Sequence, residues 1–180
     1  RVADLLEGNA TQGAWKEKEA KALKARIAEG RKAAETMLMN DGGGTACAAR
    51  LSHLMDVILS EVQHFAAAHV YPTQNPSSAE RLAIVAVGGY GRQELHPGSD
   101  IDLLILRARG GSKRESAKIE DFIRFLWDVG LQVGHSTRTL QECVSQARGD
   151  ITVVTNLMEA RHLSGDPTLL ERLAVRVSPE

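Results

Sequence analysis

Apolar and polar positions first repeat with a helical period and then give way to short, nearly unbroken apolar runs. Over residues 14–39, alanine, lysine and glutamate dominate, and Leu23, Ile27, Ala34 and Leu38 fall at helical spacing, which predicts a helix. Asp41-Gly42-Gly43-Gly44 ends it, because three glycines carry a large entropic cost in any regular element. A second helix is expected over 46–69, with Leu51, Leu54, Met55, Ile58, Val62 and Phe65 as its apolar stripe. Tyr71 to Ser78, with two prolines, reads as a loop.

Leu82 to Val87 is apolar and partly β-branched, the pattern of a largely buried strand. Gly88 to Ser99 reads as an irregular connection, and Ile101 to Leu106 as a second strand. Arg107 to Ser112 is a loop, and 113–128 a helix with Ile119, Phe122, Ile123, Leu126 and, as a further candidate, Trp127 facing inward, stopped by Gly130. Leu131-Gln132-Val133 opens a weaker third strand running towards Arg138. Two helical segments follow, 139–147 and 151–163, the second capped by Asp150, and Gly165-Asp166-Pro167 opens a last helix. This order predicts an α+β fold, a small mixed β-sheet covered by helices. The expected divisions are an N-terminal helical region at 1–78, a core at 79–140 and a C-terminal helical extension at 141–180.

Composition narrows the function classes. With 180 residues, 43% hydrophobic and 25% charged, the chain can bury a real core and is not globally disordered. The 22 Lys and Arg against 23 Asp and Glu give a net charge of −1, which offers no overall attraction to nucleic acid. No apolar run approaches the roughly 20 residues that span a bilayer, so neither a membrane nor a nucleic acid is an expected partner. Cys47 and Cys143 form no disulfide framework, and a reducing, cytoplasmic compartment is the expectation. Because the chain begins Arg1-Val2-Ala3-Asp4, it is read as a piece of a longer protein. The histidines, His53, His64, His69, His96, His135 and His162, form no His-Glu-x-x-His array, so zinc chemistry is not expected.

The chemistry concentrates between Val87 and Leu104. Asp100 and Asp102 are one residue apart on a strand, so their carboxylates project from the same face. Like charges that close raise each other's pKa unless a cation neutralises them. A divalent cation such as Mg²⁺, with Mn²⁺ as the alternative, suits a few carboxylates together with substrate phosphate oxygens. Gly88-Gly89, directly after the first strand, lets the backbone approach a bulky group and offer amides to phosphate oxygens. Ser99 adds a hydroxyl on the same side. Arg92 has two readings, a triphosphate ligand or a partner for a carboxylate such as Glu94. The spacing is neither a Rossmann fingerprint nor a Walker loop.

Gly88-Gly89 followed by Ser99-Asp100-Ile101-Asp102 resembles the signature of the DNA polymerase beta-like nucleotidyltransferases. The longer string Gly-Gly-Tyr-Gly-Arg-Gln-Glu-Leu-His-Pro-Gly-Ser-Asp-Ile-Asp-Leu-Leu (88–104) is similar to one member family. That family comprises the bacterial bifunctional uridylyltransferase/uridylyl-removing enzymes, which act on nitrogen regulatory protein P-II. The segments 126–139 and 150–161 resemble it too, so the likeness runs from about residue 50 to 175. It implies a nucleotidyltransferase core that moves UMP from UTP to a tyrosine hydroxyl of P-II, releasing pyrophosphate. Gly88 and Gly89 would face the triphosphate, Asp100 and Asp102 would hold the metal and Ser99 would contact phosphate.

Other members supply a third carboxylate from a following strand, where this chain reads Val133-Gly134-His135-Ser136-Thr137-Arg138. His135 reads either as a base or substrate contact or as a hydrogen-bonded residue beside the sheet. Arg138 reads either as a phosphate ligand or as a carboxylate partner, and Glu159 and Arg161 as structural pairs. The family's hydrolase and glutamine-sensing domains have no counterpart in these residues, so uridylyl removal is not expected of them. Rival readings are a nucleotidyltransferase with another nucleotide or acceptor, and a non-catalytic nucleotide-binding module.

Overall fold

A computed structural model describes the backbone over residues 2–65 and 81–177, with side chains from Glu17 onward except those of Phe65 and Arg114. Helix α1 (Val2–Asp41) is longer than the pattern implied. It runs through Gly8 and Gly13, which a helix interior tolerates at a cost of about 1 kcal/mol each. Gly42, at φ 64°, turns the chain, and the Gly43 N–H donates to the Asp41 carboxylate at 2.8 Å. Helix α2 (Gly44–Phe65) therefore starts two residues earlier than expected. Its expected continuation to 69 and the loop over 71–78 lie outside the described residues.

Four strands form one mixed sheet: β1 (Leu82–Ala86), β2 (Ile101–Arg107), β3 (Val133–Thr139) and β4 (Arg161–Gly165). The spatial order is β3-β2-β1-β4, with β1 antiparallel to both neighbours and β2 parallel to β3. The connection from β1 to β2 is not wholly irregular, since Gly88–Gly91 close a short helical turn, α3. Helix α4 (Lys113–Asp128) is capped by Ser112 and followed by Gly130 at φ 84°, and Trp127, a candidate for its inward face, is instead exposed, with its indole N–H donating to the Val133 carbonyl. Helix α5 (Leu140–Ala147) carries a capping box made by Thr139 and Glu142, and Asp150 caps α6 (Ile151–Met158) as expected. Helix α7 (Pro167–Val177) closes the described chain.

Strand β4 corrects the sequence reading, which carried a helix through residue 163. Val153, Val154, Leu157 and Ala160 continue a helical period, but α6 stops at Met158. Arg161 and His162 then pair with Ala86 and Val85. Without β4, that side of the buried strand β1 would leave backbone donors and acceptors unpaired. The pairing is non-local, so local spacing could not announce it.

The sheet separates two apolar layers. Ile84, Ala86, Ile101, Leu103 and Ile105 face a core shared with Leu23 and Ile27 of α1, Leu51, Met55, Ile58 and Val62 of α2, and Ile119, Ile123 and Leu126 of α4. Ala83, Val85, Leu104 and Leu106 face Leu140, Leu157, Leu169 and Leu173 of the later helices. Cys47 and Cys143 sit in different layers, both buried and both free thiols. Among the described residues, no helix is long and apolar enough to cross a membrane.

Candidate active site

The carboxylates gather at one end of β2. Ile101, Leu103, Leu104, Ile105 and Leu106 are buried on one face or the other, which makes β2 a rigid central strand, while Asp102 is exposed at its start and Asp100 just precedes it. Asp100 lies outside the strand, but it is near enough for its charge to act on Asp102. Partial loss of hydration and, second, the charge of Asp100 hold the Asp102 carboxyl above its ordinary pKa. Among the described residues, neither carboxylate has a hydrogen-bond or salt-bridge partner, and no third His, Cys, Asp or Glu completes a metal cluster with them.

Two glycines flank the Asp102 carboxylate. A Cβ at Gly88, on the β1 side, would lie 3.3 Å from Oδ2, and a Cβ at Gly134, on β3, would lie 2.7 Å from Oδ1. Gly134 is the register partner of Asp102 in the parallel pair, so any side chain there would share the carboxylate's face. The sequence reading assigned Gly134 no part in the site. Its signal was present, a glycine interrupting the third strand, where glycine often marks a close approach.

The turn after β1 is built to come close. The Val87 N–H donates to the Asp102 carbonyl at 3.1 Å, which ties the end of β1 to the acidic end of β2. Gly88 adopts φ 60°, a left-handed conformation that suits glycine, and the next N–H groups open α3. Gly91 packs so tightly that a Cβ would sit 2.6 Å from the Glu159 carbonyl oxygen. Ser99 is exposed in the turn that leads into Asp100, with its N–H donating to the His96 carbonyl at 3.1 Å.

Not every expected residue joins this group. The Arg92 guanidinium is held between Glu94 at 2.8 Å and Glu159 at 2.7 Å, which is its structural reading. His135 pairs with Leu103, whose side chain lies in the α4-facing core, and its ring is 6.0 Å from that of Trp127. It therefore projects from the face opposite Asp102. Arg138 shares the face of Asp102 but pairs with Leu106, four residues further along β2, near Glu142, whose carboxyl is held below its ordinary range chiefly by hydrogen bonds from Thr139 and least by the charge of Arg138. Strand rise places it on the order of 13 Å from the register position of Asp102.

A second group escaped the sequence reading except for Arg161, expected in a structural pair and found in one with Asp56. Ser52 and Asp56, one helical turn apart on α2, brace the connection from β1 to β2. The Leu95 N–H donates to Ser52 Oγ at 3.2 Å, and the buried Tyr90 hydroxyl donates to Asp56 Oδ1 at 2.6 Å. Burial, and then the Asp56 carboxylate, push the Tyr90 pKa well upward, so Tyr90 remains a donor. Arg161 of β4 completes the group with bonds to both Asp56 oxygens at 2.8 and 3.0 Å.

Comparison with known proteins agrees with this geometry. Residues 74–158 match the nucleotidyltransferase domain family. The chain is 42% identical over 161 residues, 89% of its length, to a bifunctional uridylyltransferase/uridylyl-removing enzyme of Bradyrhizobium diazoefficiens, of which the alignment spans 17%. The glycine turn, the paired aspartates and the strand that carries them all fall within the matched segment. Residues 74–158 are thus a nucleotidyltransferase domain, in a chain homologous over most of its length to that bacterial enzyme.

Proposed function

We propose that this domain transfers UMP from UTP to a tyrosine hydroxyl of nitrogen regulatory protein P-II, with release of pyrophosphate, at a divalent-cation site made by Asp100 and Asp102. The observation that carries the reading is the carboxylate pair, unpartnered among the described residues, beside a glycine turn within a segment that matches the nucleotidyltransferase family. The uridylyl specificity rests on the likeness to the uridylyltransferase/uridylyl-removing enzyme.

The donor set fits the group it would hold. Two hard carboxylates that repel one another favour a small divalent cation, and their open face leaves room for phosphate oxygens and water. Bound there, Mg²⁺ or Mn²⁺ would neutralise the charge of the phosphates. The protein's own part is positional. Asp100 and Asp102 fix the site on a buried strand, and Gly88 and Gly89 bring backbone N–H groups towards the triphosphate. Ser99 offers its hydroxyl from the turn before Asp100. Arg92 acts by holding the turn through Glu94 and Glu159.

In the transfer, the tyrosine oxygen forms a bond to the α-phosphorus as the bond to pyrophosphate breaks, and the hydroxyl proton leaves. The test is pyrophosphate release from UTP in the presence of P-II and Mg²⁺. Release that requires all three supports the reading, whereas equal release without P-II would leave tyrosine transfer without support.

A further inference from the structure

We infer that Arg161, acting through Asp56 and Tyr90, is a positioning residue that sets the turn Gly88–Gly91 against the start of β2; the inference rests on the nucleotidyltransferase reading, in which this turn faces the triphosphate. Arg161 reaches the turn in several ways at once. Its guanidinium donates to the Tyr90 carbonyl at 3.2 Å and to the Gly91 carbonyl at 3.4 Å, and it lies 5.3 Å from the centre of the Tyr90 ring. The same guanidinium forks onto Asp56 of α2, which also accepts the Tyr90 hydroxyl. Planar, bidentate pairing of this kind fixes direction as well as distance.

The arrangement closes around the turn from two sides. Glu159, two residues before Arg161, grips Arg92, and the Glu159 carbonyl lies where only a glycine at position 91 can fit. Gln93 takes φ 62°, a left-handed conformation that a non-glycine residue adopts at some cost and keeps only when its surroundings enforce it. Its neighbours are held on both sides, Arg92 by Glu159 at the corner between α6 and β4 and the Leu95 N–H by Ser52 of α2. Helix α2 is thereby tied to the turn that the proposed function sets against the triphosphate.

The test uses Tyr90→Phe and Asp56→Asn in the whole chain. Removing one bond to a charged group should raise KM for UTP by about tenfold, with kcat within about twofold and a melting transition still cooperative. An unchanged KM in variants that still melt cooperatively, with any loss confined to the amount of active protein, would overturn the inference. Hydrogen exchange at the Gly91 and Arg92 amides, which bond to Val87 and Gly88 carbonyls, gives a readout that needs no nucleotide. Faster exchange there in both variants supports the inference, and unchanged exchange overturns it even if the wild-type chain binds no UTP. Failure of the transferase reading and failure of the positioning role are thus told apart.

Discussion

The Asp102 carboxylate and Gly134 share a single space: a Cβ on Gly134 would lie 2.7 Å from Asp102 Oδ1. The carboxylate is the free end of a side chain, so Gly134→Ala should turn Asp102 aside rather than unfold β3. A displacement of about 1 Å at a reacting group can cost about 100-fold in rate. The expected outcome is a loss of that order in transfer with an unchanged circular dichroism spectrum. Full activity in the alanine variant would show that the carboxylate has no need of that space.

Asp102→Asn should remove transfer and yet make the metal-free protein slightly more stable. Asp102 is partly dehydrated and faces the charge of Asp100, so its ionised form opposes folding. The group is largely exposed, which limits the gain to at most about 1 kcal/mol. Mg²⁺ should raise the melting temperature of the wild type and leave that of Asp100→Asn with Asp102→Asn unmoved, as differential scanning calorimetry would record.

The same shift fixes the sign of a pH dependence. The folded-state pKa of Asp102 lies above its unfolded value. Between the two values the folded protein retains a proton that the unfolded chain has lost, so stability falls as pH rises through that window. Below it, this group makes no difference. Urea midpoints of wild type and Asp102→Asn, measured without divalent cations, should diverge as pH rises out of the acid range, with the variant the more stable.

Gly165→Ala tests strand β4 independently of the chemistry. Gly165 holds φ 86°, and an added Cβ would collide with the Leu82 carbonyl oxygen, a backbone atom that cannot swing away. Strain at such a position costs on the order of 1–3 kcal/mol. Thermal unfolding should report a loss in that range, and an unchanged transition would contradict the pairing of β4 with β1.

Arg92→Gln separates its two readings. Both of its ion pairs are substantially exposed, so the substitution should leave the thermal transition close to that of the wild type. UTP affinity measured by calorimetry should change only a few fold. A loss of two orders of magnitude would return Arg92 to the phosphate.

What could be read from the chain depended on how local its cause was. Asp100 and Asp102 declared themselves through strand alternation, and Gly88-Gly89 through its place after an apolar run. The mixed sheet and most helices followed from period and caps, with Asp150 and Gly130 placed as expected. Strand β4 was hidden because Leu157 and Ala160 keep a helical period up to a pairing decided by β1, far away in sequence. His135 projects away from the carboxylates because the parallel register sets its face, and register was not visible in the third strand's weak pattern. Ser52 and Asp56 were legible only as two polar residues at helical spacing amid an apolar stripe; their partners lie 43 and 34 residues away.

The most direct test of the account is the intact mass of P-II after incubation with this chain, Mg²⁺ and each nucleoside triphosphate in turn. The account predicts one uridylyl increment with UTP, none with the other nucleotides, and none when Asp100 and Asp102 are both replaced by Asn. An increment with a different nucleotide, or a UTP-dependent increment that survives the double replacement, would contradict it.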